Sequence, residues 1–220
     1  MFRIVSIAGF IVAFAGVVLH FAVCRPKFDD LFGAERGLRI LDGLRLLVYL
    51  LTLLFIPQKL NLVGIFRKLV FLLALFCFVV LAVTGFYPSV VLGKALSGYL
   101  LMVHATFAPV FAICIAILAV MWAHNCRFDK KYWPWLQRLL GRETGGAAAI
   151  EKYELGRKVL FWVIIILALP VILSAVLSMF PLFGTHGLEL LLQLHRYSTL
   201  TLTLVVIVKT YLMVMAQMKE

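Results

Sequence analysis

Long apolar runs constrain this chain more than any other feature. Residues 4–23, 69–86, 96–123, 159–180 and about 188–216 reach or approach the roughly 20 residues that a helix needs to cross a hydrocarbon core about 30 Å thick. A weaker run from Leu38 to Ile56 stops at Pro57 and carries Arg39, Asp42 and Arg45 near one end. Counting it gives about six spans, or five if that segment is re-entrant or interfacial. Nothing alternates with period two over long stretches, which argues against a barrel. With 64% hydrophobic and 14% charged residues, the chain cannot clothe a water-facing surface. The expected fold is all-α, a polytopic membrane helix bundle. Residues 4–23 read as a retained first span, because Phe21, Ala22 and Val23 before Cys24 make a poor lipoprotein cleavage site.

The net charge of +11 does not point to nucleic acid, since the Lys and Arg residues cluster beside apolar spans and no soluble domain carries a phosphate-neutralising face. Lys59, Arg67 and Lys68 sit in one loop, and the 127–158 loop holds eight more basic residues. The turns at 87–95 and 181–187 hold Lys94 alone. The positive-inside bias therefore makes the basic loops cytoplasmic, in a bacterial cytoplasmic (inner) membrane, and six spans place both termini on that side. Cys24, Cys77, Cys114 and Cys126 show neither CxxC spacing nor a disulfide framework and read as buried thiols.

Ionisable groups inside a bilayer are costly unless paired or ligating, so the histidines and Lys209 carry the chemical information. His104 lies about eight residues into the span that begins near 96, and His195 about eight into the span that begins near 188. Both spans are entered from the same non-cytoplasmic side, so at 1.5 Å per residue the two imidazoles sit about 12 Å below it, at matching depth. Two facing imidazoles at one depth suit a six-coordinate b-type haem. Ala105, Thr106 and Ala108 leave room for a flat ring, and Arg196 stands where it could meet a propionate. The plainer reading is a pair of helix-end histidines bonded to their neighbours.

Three segments, FRKLVFLLALFCFVVLAVTGF, LSGYLLMVHATFAPVFA and LHRYSTLTLTLVVIVKTYL, resemble the four-helix cytochrome b subunits of the formate dehydrogenase gamma, nickel-iron hydrogenase and thiosulfate reductase superfamily. The resemblance divides the chain into residues 1–66, two spans and a mixed-charge loop, and residues 67–220, a four-helix cytochrome b-like core. It implies two stacked haems. His104 and His195 match the ligand pair of one. The other pair falls on Val70 and Lys209, neither of them histidine. Lys209 is fourteen residues beyond His195, about 21 Å along the helix and on the same face. The joint departure implies loss of the cytoplasmic-side haem. Lys209 then reads as a snorkelling anchor, with pairing to a quinone head group, a lipid phosphate or a partner carboxylate, or ligation of iron, as alternatives. Phe66, Phe71 and Trp162 are candidates to fill the vacated space.

The remaining histidines carry less. His124 reads as a rim residue near the basic loop, His186 as part of the FGTHG turn, and His20 as a residue near the outer end of the first span without an evident partner. Small residues in that span, including Ala8, Gly9, Ala13, Ala15 and Gly16, suit close helix contacts. Trp133, Trp135 and Tyr132 beside lysines read as an interfacial helix. No phosphate loop, zinc motif or hydrolase triad is present.

The expected function is that of a non-catalytic or quinone-reactive subunit of a respiratory oxidoreductase complex, surrounded by membrane lipids. It would pass electrons between quinone and a redox partner through a single haem b bound by His104, His195 and Arg196. The partner would be a cytochrome c, an iron-sulfur or a second cytochrome b subunit. The alternative is a haem-free membrane anchor or scaffold that docks redox proteins.

Overall fold

A computed structural model describes residues 1–24, 62–128, 152–180 and 183–217. It contains α1 (Phe2–Cys24), α2 (Leu62–Phe86), a π-helical turn (Tyr87–Leu92), α3 (Gly98–Ala123), α4 (Lys152–Ser178) and α5 (Thr185–Gln217). The protein is an all-α polytopic bundle, with no strand among the described residues and five helices long and apolar enough to cross a membrane. Backbone polar groups must be satisfied within each segment in lipid, which is why these runs are helices throughout. The run at 38–56, the 129–151 part of the basic loop and the Trp133–Trp135 segment lie outside the described residues.

Two antiparallel hairpins form the core. Helices α2 and α3 pack along their length, as do α4 and α5, whereas α3 and α4 meet at few points. The α2–α3 seam is built on Val70, Ala74, Cys114 and Leu118, with Phe71 and Ile117 against it. Because lipid tails are as apolar as these side chains, close packing rather than burial from water holds the seam. The large side chains left exposed, such as Leu69, Leu73, Ile113 and Ile166, then face lipid.

Between α2 and α3 the chain reverses through the π-helical turn. Pro88 cannot donate a hydrogen bond and ends the α pattern, and Gly93 adopts a left-handed φ of 64°. The Lys94 amide then donates to the Pro88 carbonyl at 3.0 Å, closing the turn. Pro109 and Pro170 lie inside α3 and α4.

Helix α1 bridges the two hairpins. Phe10 meets Phe86 of α2 edge-on at 5.3 Å, and Phe2 meets Tyr197 of α5 at 5.5 Å. Arg3 donates to the Val91 carbonyl of the turn at 3.4 Å. Gly9 supplies the close approach to α5, since a Cβ there would stand 3.2 Å from Leu204 Cδ1. Gly16 faces open space, so the small-residue stripe is only partly used for packing.

The direction of α1 departs from the sequence expectation. Phe2 lies beside Tyr197 and His20 beside Tyr211, so α1 runs parallel to α5. The N-terminal end of α1 and the C-terminal end of α5 are therefore at opposite ends of the bundle. The expectation that both termini share one side rested on counting six spans, and the run at 38–56 that supplied the sixth lies outside the described residues. Cysteine pairs introduced at Phe2 and Tyr197, and at His20 and Tyr211, should each be joined by a short bifunctional crosslinker in membranes. Joining of Phe2→Cys to Tyr211→Cys instead would reverse the assignment.

Candidate functional site

His104 of α3 and His195 of α5 face each other across the space between the hairpins. Their ring centroids are 6.4 Å apart and their planes stand at 75°. What each imidazole offers its neighbour follows from proton bookkeeping on the other side of each ring.

Thr84, 6% exposed on α2, donates its single hydroxyl proton to the Val80 carbonyl at 2.8 Å. Toward His104 Nδ1, 2.9 Å away, that oxygen can accept. On the other helix pair, His195 Nδ1 lies 3.1 Å from the Val171 carbonyl, which has no proton to give. Ser174, 1% exposed, sends its own proton to the same carbonyl at 3.0 Å and turns a lone pair to His195 Nδ1 at 3.2 Å. The Val171 carbonyl places the hydrogen of neutral His195 on Nδ1 and leaves its Nε2 a bare lone pair, and the Thr84 hydroxyl bonded to Val80 accommodates the same tautomer in His104.

Gly85 shapes this end of α2. A Cβ at that position would stand 3.4 Å from His104 Cε1, so the absent side chain lets the helix approach the ring.

A neutral imidazole protonated at Nδ1 offers Nε2 as a metal-ligating lone pair. Two metal–nitrogen bonds of about 2.0–2.1 Å and two nitrogen-to-centroid radii of about 1.1 Å place such rings about 6.3 Å apart. Among the described residues no group of three or more His, Cys, Asp or Glu side chains could hold a bare metal ion. A pair of axial nitrogens suits iron whose other four ligands come from a macrocycle, and the residues present fit a haem.

The opposite end is built differently. Phe71 and Trp122 are 5.6 Å apart, Trp122 and Phe161 6.3 Å, and Phe161 and Trp162 5.5 Å. Lys209 Nζ stands 5.8 Å from the Trp122 centroid and 5.5 Å from that of Phe161. Trp162 Nε1 donates to the Cys126 carbonyl at 3.0 Å, tying α4 to the end of α3. Here aromatic rings and an ammonium join the hairpins that are held apart at the histidine end. Of the three aromatic residues singled out in the sequence, Phe71 and Trp162 belong to this cluster and Phe66 is 52% exposed, while Trp122 and Phe161 were not singled out.

Matched to this geometry, residues 66–219, more than two thirds of the chain, fit the prokaryotic cytochrome b561 family. The chain belongs to that family. Its resemblance to the cytochrome b membrane subunits of hydrogenases and formate dehydrogenases therefore holds, and haem b is the cofactor that membership implies. No curated protein and no solved structure matches the chain.

Other expected residues fall into place around this family core. Arg196 is half-buried at the histidine end with its guanidinium 5.8 Å from the Phe2 ring. His124 is exposed at the C-terminal end of α3, and His186 is exposed in the first turn of α5. His20 is corrected: it lies at the lysine end, with Nδ1 2.6 Å from the Tyr211 hydroxyl, because α1 runs opposite to the expected direction. Thr84 and Ser174 were not singled out in the sequence. The available signal was a hydroxyl residue one helix upstream of each histidine, twenty and twenty-one residues before it.

Cation–π contacts of this kind contribute about 0.5–2 kcal/mol. Lys209→Met should therefore lower the unfolding temperature of the detergent-solubilised protein by a few degrees, at about 2–4 °C per kcal/mol, and Trp122→Ala by more. An unchanged melt for both would show that the cluster does not hold the hairpins together.

Proposed function

We propose that the chain is the electron-transfer subunit of a respiratory oxidoreductase complex. In this reading it holds one b haem between His104 and His195 and exchanges electrons between quinone and an attached redox subunit. The observation that carries it is the pairing of His104 and His195 from the two hairpins, ring centroids 6.4 Å apart, each with Nδ1 held by a hydroxyl or carbonyl of the neighbouring helix. When bound, the haem supplies reversible one-electron transfer. The chain's own residues would do the rest: His104 and His195 would hold the iron, α2 and α4 hold their Nδ1 atoms, and Arg196 would meet a propionate.

A single haem is supported by the other end. Val70 is buried in the α2–α3 seam, and Lys209 is enclosed by Trp122 and Phe161, so neither position offers an imidazole and aromatic rings occupy the region between them. The basic residues near Arg67, Lys68, Arg127 and Lys158 mark the lysine end as cytoplasmic in a bacterial inner membrane. The histidine pair then lies toward the opposite face. The partner is a cytochrome c, iron-sulfur or second cytochrome b subunit. The scaffold alternative leaves the tautomer arrangement of the two histidines without a purpose.

The purified protein should show a b-type band in its reduced-minus-oxidised spectrum and contain one haem per chain. His104→Ala and His195→Ala should each abolish the band. Persistence of the band in either variant would overturn the ligand assignment, and two haems per chain would overturn the single site.

A further inference from the structure

Hydroxyl side chains are common in membrane helices, where they bond back to a carbonyl of their own helix. Thr106 donates to the Met102 carbonyl, Thr201 to that of Tyr197 and Thr210 to that of Val206, all within 2.9 Å. Those contacts satisfy the hydroxyl proton and end there. Thr84 and Ser174 make the same internal bond and, in addition, direct an oxygen lone pair at a histidine Nδ1 on a neighbouring helix. Back-bonding does not require that second contact, and both side chains are almost wholly buried, where no water could replace it.

We propose that Thr84 and Ser174 are positioning residues for the cofactor, fixing the planes of His104 and His195 nearly at right angles and lowering the reduction potential of the iron they hold. This rests on the haem reading above. An acceptor on Nδ1–H fixes the tautomer and ring orientation of a ligating histidine and makes its Nε2 a stronger donor. A stronger donor favours the ferric over the ferrous state, so each hydroxyl lowers the potential.

The two supports are unequal. Among the described residues, His104 Nδ1 has Thr84 as its one partner, whereas His195 Nδ1 has both Ser174 and the Val171 carbonyl. Removal of the Thr84 hydroxyl leaves a free Nδ1–H, while removal of the Ser174 hydroxyl leaves a carbonyl still in place. The structure thus assigns the larger influence to Thr84.

The test uses the full chain purified in detergent, with Thr84→Val, Thr84→Ser and Ser174→Ala beside the unsubstituted protein. Redox titration should give a higher potential for Thr84→Val, a smaller rise for Ser174→Ala, and a value near the original for Thr84→Ser. The anisotropy of the low-spin ferric electron paramagnetic resonance signal depends on the angle between imidazole planes. It should change in Thr84→Val and return in Thr84→Ser. Haem affinity should fall about 10–100-fold in Thr84→Val, the usual cost of removing a partner of a ligating histidine.

An unchanged potential and resonance signal in haem-loaded Thr84→Val would overturn the proposal, as would a change that Thr84→Ser fails to restore. If Thr84→Val holds no haem, Ser174→Ala decides by the same two measurements. Absence of haem from the unsubstituted protein would refute the underlying site instead.

Discussion

The arrangement depends on where two protons sit. A carbonyl at Val171 requires the hydrogen of neutral His195 to be on Nδ1, and a hydroxyl at Thr84, bonded to the Val80 carbonyl, accepts the corresponding hydrogen of His104. The acceptors belong to α4 and α2, the histidines to α5 and α3. Each hairpin is therefore a self-contained device in which one helix carries the ligand and its partner fixes the tautomer. Close packing within each hairpin holds that relation rigid. The two hairpins meet at few points, and the two histidines stand where they approach each other.

The far end is built around an ammonium and aromatic rings in place of imidazoles. An ammonium in a hydrocarbon layer is costly unless a partner compensates it. Trp122 and Phe161 present ring faces to Lys209 and fill volume at the same time. A cavity the size of a macrocycle would cost the packing contacts of its whole lining, so removal of a ligand pair has to be matched by large side chains. Trp122 supplies the link, touching Phe71 of α2, Phe161 of α4 and Lys209 of α5 from its own position on α3.

Much of this was legible because depth in a membrane is a one-dimensional quantity. Counting residues from the ends of apolar runs placed His104 and His195 at one level, and helical periodicity placed Lys209 on the face of His195. Facing direction around each helix axis is not contained in such counts, so the partners Thr84 and Ser174 escaped notice. Trp122 was hidden for the same reason, as a residue near the end of an apolar run reads as an interfacial anchor. His20 was misplaced because the direction of a span read from sequence depends on the count of all crossings between it and the basic loops. Local evidence fixes whether a segment can span, while its direction accumulates error along the chain.

Helix α1 lies outside the residues matched to the family, yet it is placed where the two hairpins are least joined. Through Phe10 on Phe86, Arg3 on the Val91 carbonyl and Phe2 on Tyr197 it connects α2 and its turn to α5 at the histidine end. The side of the cleft between α2 and α5 is thereby covered, and the α3–α4 side is the one that α1 leaves uncovered. A single redox centre close to one face reaches across less than half of a hydrocarbon core about 30 Å thick. On the proposed reading, donor and acceptor must then meet the protein near the same end, and α1 restricts the directions from which they can do so. An added helix in that position turns a two-sided cleft into a one-sided one, which is a way for a one-haem bundle to keep its exchange of electrons selective.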